Sequence, residues 1–236
     1  MIYSGNNKII DIYKGTTKIN KIFKGDTLIY QRKLYDSKIE YLESTGTQWI
    51  DTGIVSQNNL VYDFYLQESF VNNQKCFFGF KEKDQDGFDN WYSLGMNDAN
   101  WGNNADGSYW VYVDFAGTEQ RCTLSYPRRN GVYHFDFTDN NAYFSNNGTI
   151  YWRKYLSGTY YGTCHVFIFW YDGSFNYQDR KGVGRIYYFQ VRKNGQLLFD
   201  GIPVRVGSVG YMYDRVSGKL FGNAGTGNFI LGQDIN

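Results

Sequence analysis

The chain has 236 residues, and its 24 Lys and Arg against 23 Asp and Glu leave a formal net charge of +1. A charge this close to zero argues against nucleic acid or an anionic membrane as the partner. The sequence also has no apolar run of about 18 residues and no basic stretch leading into an apolar one, so we expect neither a membrane span nor a secretory signal. Its 23 Tyr, 18 Phe and 27 Gly favour strands joined by tight turns and predict an all-β protein.

The first predicted element is a ten-residue repeat over residues 2–31, which reads IYSGNNKIID, IYKGTTKINK and IFKGDTLIYQ. A glycine opens each turn and strand-forming residues follow it, which predicts a small β-meander. Apolar side chains fall on both faces of these strands, and each face needs a cover. The residues predicted to contact that cover are Ile9, Tyr13, Ile19, Ile22 and Phe23.

A segment of about thirty residues buries too little apolar surface to fold without a partner, so other residues must cover this repeat. Two interpretations are open. The segment packs on the following domain as extra strands, or it docks into a larger assembly. Docking is the favoured interpretation, because residues 1–33 carry seven Lys and Arg against two acidic residues and differ in composition from the rest.

A domain boundary is predicted near QRKLYDSK, which separates an anchoring segment at 1–33 from a domain at 38–236. In this domain LVYDFYLQ (60–67) and VYHFDFTD (132–139) alternate apolar and polar residues, whereas HVFIFWY (165–171) is apolar on both faces, as in a central strand. Asn-Gly pairs at 130–131, 147–148 and 194–195 predict hairpin turns. Strands at this spacing predict an antiparallel β-sandwich or jelly roll.

The cysteines and histidines do not suggest a metal site. Cys76, Cys122 and Cys164 are scattered without a Cys-x-x-Cys pair, which favours buried thiols over a disulfide framework or a zinc site. His134 and His165 each fall in an aromatic strand pattern, where a packed and hydrogen-bonded ring is expected.

Catalytic motifs are also missing from the sequence. A glycosidase of the jelly-roll type needs two carboxylates on one strand face, as in Glu-x-Asp-x-x-Glu, and the chain has no such sequence. It has no Gly-x-Ser-x-Gly, His-Glu-x-x-His or phosphate loop either. We therefore predict a protein that is not an enzyme and needs no cofactor.

One acidic turn resembles a calcium loop only in part. Asp84, Asp86 and Asp89 surround Gly87, but the regular spacing and the terminal bidentate Glu are missing. A solvated turn between strands is the favoured interpretation, and these three residues are where calcium would bind if it binds at all.

The segment from Asn90 to Trp110 has the mixture of residues that sugar binding uses. Flat rings offer an apolar face to the C–H side of a pyranose, and fixed amides and carboxylates bind its hydroxyl groups. A second such segment runs from Phe169 to Gly182. Core packing of the rings, with the amides as turn formers, is an equally open interpretation. The predicted glycan-binding residues are Trp91, Trp101, Asn103, Asn104, Asp106, Trp110, Tyr171 and Asp172.

Two further stretches carry a family resemblance. YLESTGTQWIDTG (41–53) and the tail from GRIYYFQVRK to NFILGQ (184–233) resemble the concanavalin A-like, or laminin-G-like, jelly-roll domains of bacteriophage virion proteins and gut-bacterial surface proteins. The resemblance covers roughly residues 38–234. It implies two packed antiparallel sheets of six or seven strands, adjacent first and last strands, and a closing turn from Tyr213 and Asp214 through Gly218 to Asn223. The opening repeat is similar to short segments at the start of phage structural proteins.

Two functions follow from these observations as hypotheses. The favoured one is a non-enzymatic phage virion protein, a fibre, decoration or tail-associated component. Its N-terminal segment would dock to other virion proteins while its jelly roll meets a protein or a host glycan, and such components are usually homo-oligomers. The alternative is a carbohydrate-binding module of a bacterial surface or secreted protein. An inactive or unrecognised glycanase ranks last.

Overall fold

The structure is a computed structural model that describes residues 3–4, 7–8, 12–19, 21–31, 33–68, 75–83, 89–96, 109–115, 118–124, 130–138, 141–155, 161–170 and 181–235. For some of these strands, including all of 89–96, 109–115 and 118–124, only the backbone and its pairing are described, and the side chains are not. Within the described ranges no helix is long and apolar enough to cross a membrane. The chain divides into two units, Met1–Asp36 and Ser37–Asn236.

The first unit consists of hairpins. Its described strands are β1 (Tyr3–Ser4), β2 (Asn7–Lys8), β3 (Ile12–Lys14), β4 (Thr17–Ile19), β5 (Lys21–Lys24) and β6 (Thr27–Gln31). They pair as β1–β2, β3–β4 and β5–β6, so the predicted succession of strands forms three separate two-stranded sheets in the described part of the unit. Gly15 and Gly25 open their turns at φ 63° and 58°, as the repeat predicts, because the first position of a type II′ turn needs a left-handed residue.

Burial is described for only two of the five predicted contact residues of this unit. Ile19 and Ile22 are half-buried, and Ile29 is 44% exposed. Tyr13 and Phe23 are described by their backbone pairing with Lys18 and Leu28. Ile9 lies outside the described residues, so the predicted assembly contact stays a prediction.

The second unit is built from short and long antiparallel strands. In its first half these are β7 (Ser37–Ile39), β8 (Leu42–Thr45), β9 (Ile50–Gln57), β10 (Leu60–Glu68), β11 (Lys75–Lys83), β12 (Asp89–Met96), β13 (Tyr109–Phe115) and β14 (Thr118–Leu124). In its second half they are β15 (Asn130–Asp136), β16 (Asn141–Asn146), β17 (Thr149–Tyr155), β18 (Tyr161–Ile168), β19 (Val183–Lys193), β20 (Gln196–Val206), β21 (Val209–Asp214), β22 (Lys219–Phe221), β23 (Ile230–Leu231) and β24 (Asp234–Ile235).

These strands form two sheets, which confirms the predicted all-β antiparallel sandwich of the jelly-roll type. The larger sheet has the order β17-β16-β15-β10-β19-β20-β21-β22. Four short strands extend it, because β8 pairs with β19 and β23, and β7 pairs with β20 and β24. The smaller sheet has the order β14-β13-β12-β11-β18-β9. Among the described residues the larger sheet therefore exceeds the six or seven strands that the resemblance implies.

The core is made of aromatic rings from both sheets. The predicted alternation in β10 is confirmed, since Leu60, Tyr62, Phe64 and Leu66 are buried and the residues between them are not. From the smaller sheet, Phe78 packs among rings of the larger one, with centroid distances of 4.7 Å to Tyr62, 5.2 Å to Phe64, 5.3 Å to Phe135 and 5.6 Å to Phe189. These contacts join the two sheets.

Two of the three Asn-Gly turns are confirmed and one is wrong. At 147–148 and 194–195 both residues are left-handed, with φ 47° and 77° in the first pair and 49° and 77° in the second, as a type I′ hairpin requires. Asn130 and Gly131 instead lie in β15 and pair with Gln67 and Leu66. The glycine has a packing role, because a Cβ at 131 would lie 2.4 Å from the side-chain nitrogen of Asn147.

The two ends of the sandwich are joined, as the resemblance implies. Lys38 and Ile39 in β7 pair with Ile235 and Asp234 in β24, so the first and last strands of this unit are adjacent, and β8 pairs with β23 beside them. The predicted closing turn is also present. The buried Asp214 carboxylate accepts hydrogen bonds from the backbone N–H groups of Asp200, Val216 and Ser217 at 2.8–3.0 Å.

Candidate functional site

An aromatic cluster, which we call the tryptophan cluster, lies at one edge of the smaller sheet and contains Trp49, Phe167 and Trp170. The two indole centroids are 4.4 Å apart, and Phe167 lies 5.2 Å from Trp49 and 5.3 Å from Trp170. The Lys181 ammonium group lies 5.4 Å from the Trp170 ring centroid, within cation–π range. Phe167 is buried and both tryptophans are half-buried: Trp49 packs against the core, and Nε1 of Trp170 is buried.

Trp49 is held by the C-terminal tail of the sandwich. Its backbone N–H donates to Oδ1 of Asn223 at 3.1 Å, and its carbonyl accepts from the N–H of Ala224 at 2.9 Å. The tail passes so close that a Cβ at Gly225 would lie 2.0 Å from the carbonyl oxygen of Thr47. The contacts between the segment around Trp49 and the C-terminal tail therefore fix the position of this tryptophan.

Trp170 is positioned by the end of β18. Apolar residues cover both sides of this strand as predicted, but it ends at Ile168, and Phe169 is left-handed with φ 65°. The N–H of Phe169 donates to Phe77 at 2.7 Å, and its carbonyl accepts from Gly182 at 2.9 Å. A large residue in this conformation is strained, and such strain collects at functional sites. The chain therefore changes direction where β18 ends, directly before Trp170.

A polar pair borders the cluster. Asp51 is the strand partner of Phe167, and His165 precedes Phe167 by two residues in β18. Nδ1 of His165 lies 2.9 Å from Oδ1 of Asp51, and the two side chains are 42% and 39% exposed. Groups that donate and accept hydrogen bonds therefore stand at the solvent side of the aromatic rings.

His134 belongs to a second polar group, on the outward face of the larger sheet. Its Nδ1 lies 2.6 Å from Oδ1 of Asp63, and its Nε2 lies 2.8 Å from the Tyr143 hydroxyl. Arg192 forms an ion pair with the other oxygen of Asp63. Both histidines are hydrogen-bonded, as the sequence predicts; His134 also packs against the Tyr143 ring, whereas His165 is 42% exposed.

The Asp63 carboxylate makes stability depend on pH. Burial would raise its pKa, but the hydrogen bond with His134 and the positive charges of His134 and Arg192 outweigh burial and hold the pKa below its ordinary value. A lowered folded-state pKa stabilises the fold above the unfolded pKa of about 3.9, and this stabilisation is lost as pH falls through the folded value. We expect Asp63→Asn to cost about 1–3 kcal/mol at neutral pH and less below about pH 4. Urea unfolding of both proteins from pH 2 to pH 7 measures this, and a pH-independent difference would contradict it.

The predicted glycan-binding residues are only partly within the described residues. Trp91 lies in β12 opposite Asp114, and Trp110 lies in β13 opposite Gly95, so these positions belong to a paired hairpin and not to a loop. Backbone pairing runs from Phe167 to Gly79, Ser93 and Tyr112, which assigns positions 91 and 110 to the sheet face that carries Phe167. Trp101, Asn103, Asn104, Asp106, Tyr171 and Asp172 lie outside the described residues.

The metal and cysteine predictions have a mixed outcome. Among the described residues no group of three or more His, Cys, Asp or Glu side chains is placed to hold a metal ion. Asp84 and Asp86 lie outside the described residues, and Asp89 begins β12 opposite Lys83, so calcium there stays a prediction. Cys76 is buried as predicted and its thiol donates to the Phe78 carbonyl at 3.3 Å, whereas Cys164 is half-buried and its thiol donates to the His165 carbonyl at 3.4 Å.

Sequence reasoning missed Trp49 and Trp170 as site residues. Each lies inside a stretch that the sequence singled out, but neither stretch alone shows that they meet. The signal was available in the composition, because these are two of only six tryptophans in the chain.

No protein-family model and no curated protein sequence matches the chain. Among solved structures, a provisionally assigned carbohydrate binding protein from Bacteroides ovatus is similar, with a TM-score of 0.55 and 14% identity over 91% of this chain. The chain spans 65% of the length of that protein. A heptameric SAP-like pentraxin from Limulus polyphemus gives a TM-score of 0.45 and 13% identity, and the match covers 86% of this chain and 97% of the pentraxin. At these identities the likeness concerns the fold.

Proposed function

We propose that the sandwich is a carbohydrate-binding module and that the tryptophan cluster is its sugar-binding site. The observation that carries the proposal is the contact between two half-buried tryptophans, Trp49 and Trp170, beside a lysine and a solvent-facing His165–Asp51 pair. Indole faces bind the C–H side of a sugar ring, and flanking polar groups bind its hydroxyl groups.

Two further points support this proposal. The predicted rim residues Tyr171 and Asp172 directly follow Trp170 in the chain, and the register assigns positions 91 and 110 to the same sheet face. The similar structure from Bacteroides ovatus carries an assignment to carbohydrate binding, which favours this class by analogy of fold.

The test is binding of the full chain to soluble neutral polysaccharides in native affinity gels. We expect Trp49→Ala combined with Trp170→Ala to weaken binding by about tenfold or more, since each lost ring contact removes about 0.5–1.5 kcal/mol. Tyr155→Ala is the matched control, because Tyr155 is 68% exposed and lies at the far edge strand β17. Unchanged binding in the double variant, with the thermal transition intact, would refute the assignment of this site.

The other predicted function, a structural part of a phage particle, gains no support from the solved structures compared above. It remains a prediction that rests on the basic hairpin repeat and on the resemblance. The associated predictions of homo-oligomers, of a virion or bacterial cell-surface location, and of a protein without enzymatic activity remain predictions with it.

A further inference from the structure

A second aromatic surface lies on the outward face of the larger sheet. Tyr65 comes from β10, Tyr187 from β19, and Tyr41 from the residue before β8. The Tyr187 ring centroid is 4.5 Å from that of Tyr65 and 5.6 Å from that of Tyr41. We call these three rings the tyrosine face. They form a row that crosses three neighbouring chain segments, and all three side chains are partly exposed.

A β-bulge explains why tyrosines gather there. In β10 the core side is occupied by Phe64 and Leu66, so Tyr65 points outward. The register between β10 and β19 shifts after Tyr65, and Tyr187 and Tyr188 are both half-buried where a regular strand would bury one of them. The bulge therefore adds a tyrosine to the outward face.

Polar contacts hold the rings in place. The Tyr187 hydroxyl donates to Oε1 of Gln67 at 2.6 Å. The Arg185 guanidinium lies 4.3 Å from the Tyr41 ring centroid, and its Nε donates to Glu43 at 2.7 Å. Because these side chains are already ordered, a ligand would pay little of the usual entropy cost of immobilising them.

The surface carries two ion pairs and, near Tyr187, the additional carboxylate of Glu40. Arg185 is paired with Glu43 and, further along the same face, Arg192 is paired with Asp63. The hydrogen bond to Glu43 raises the pKa of Arg185, so the guanidinium stays charged at every pH of ordinary experiments. A surface without excess positive charge suits an uncharged ligand better than an anionic one.

We infer that the tyrosine face is a second carbohydrate-binding surface, which takes an extended neutral glycan lying across β10, β19 and β8. The row of three rings is longer than a single sugar ring, so it can contact several sugar units. Gln67, Glu43 and Arg185 supply hydrogen-bonding groups beside the rings. Two exposed aliphatic side chains flank the row, Val132 opposite Tyr65 and Ile230 opposite Glu43, at 43% and 49% exposure. A contact between protein chains, which also favours Tyr and Arg, is therefore the competing occupant that the experiment separates.

The experiment uses native affinity gels with starch, galactomannan, xyloglucan and mixed-linkage β-glucan as probes. The full chain is compared with Tyr65→Ala/Tyr187→Ala, with Trp49→Ala/Trp170→Ala, and with all four substitutions together. We expect the tyrosine double variant to lose about tenfold in affinity even when the tryptophans are already removed. Tyr65→Phe/Tyr187→Phe keeps the rings and should retain most of the binding, and Tyr155→Ala is the matched control.

The outcomes separate the two surfaces. Residual binding in the tryptophan variant that disappears with the tyrosine substitutions supports the inference. Equal binding with and without Tyr65 and Tyr187 overturns it and leaves the tryptophan cluster as the site. Loss of self-association in the tyrosine variant, measured by sedimentation, overturns it in favour of a contact between copies. Failure of every probe to bind the unmodified chain overturns both this inference and the proposed function.

Discussion

Replacing Phe78 by alanine is expected to lower the free energy of unfolding by about 3–5 kcal/mol, the largest stability effect that we predict. Phe78 is fully buried and its ring packs between the two sheets, with the rings of Tyr62, Phe64, Phe135 and Phe189 within 5.6 Å. Truncation removes its apolar area from the core and leaves a cavity, since rings anchored in several strands close in only partly.

Urea unfolding measures this effect, and the denaturant slope should stay unchanged if the variant still unfolds in one step. Tyr155→Ala is the matched control, because that ring is 68% exposed and its removal should change stability by less than about 0.5 kcal/mol. Phe78→Leu keeps most of the volume and should fall between the two. Equal stability of Phe78→Ala and Tyr155→Ala would show that the sheets do not meet at this ring.

Gly225→Ala is expected to destabilise the protein by about 3 kcal/mol and to weaken glycan binding together with it. The added Cβ would lie 2.0 Å from the Thr47 carbonyl oxygen and 2.8 Å from Cδ1 of Trp49. A backbone oxygen cannot rotate away as a flexible side chain does, so the tail or the segment before β9 must move. Trp49 is bound to that tail through Asn223 and Ala224 and should shift with it.

Gly222→Ala is the control in the same tail. Its added Cβ would come no closer than 3.3 Å to a ring carbon of Tyr211, a contact that a small ring movement relieves. We expect a change within about 0.5 kcal/mol and normal glycan binding. If both variants unfold at the same urea concentration, or if Gly225→Ala binds glycan normally, the tail does not position Trp49.

The sequence predicted the sandwich because its strands follow simple periodicity. LVYDFYLQ alternates as a strand with one buried face must, and Asn147-Gly148 adopts the left-handed turn that this pair favours. Asn130-Gly131 was wrongly predicted as a turn because local turn chemistry does not show that Asn147, in the turn between β16 and β17, occupies the space beside the glycine. Local signals therefore identified strands and failed where a distant side chain decided the conformation.

The candidate sites were less predictable for the same reason. Trp49 and Trp170 become neighbours only after β9 pairs with β18, and Tyr187 faces outward only because of a bulge in its pairing with β10. Both depend on register between strands far apart in the sequence. The aromatic and amide residues of the sequence suggested sugar binding, but only the pairing of the strands in the structure shows which aromatic rings are in contact.

The pairing of β7 with β24 has a mechanical consequence. Lys38 lies opposite Ile235, and Ile39 lies opposite Asp234, in an antiparallel ladder at the margin of the larger sheet. A pulling force applied between Ser37 and Ile235 would separate this ladder one rung at a time, starting at its open end, and would not load all of its hydrogen bonds at once. Tension along the chain would thus peel these two strands apart before it strained the aromatic interior.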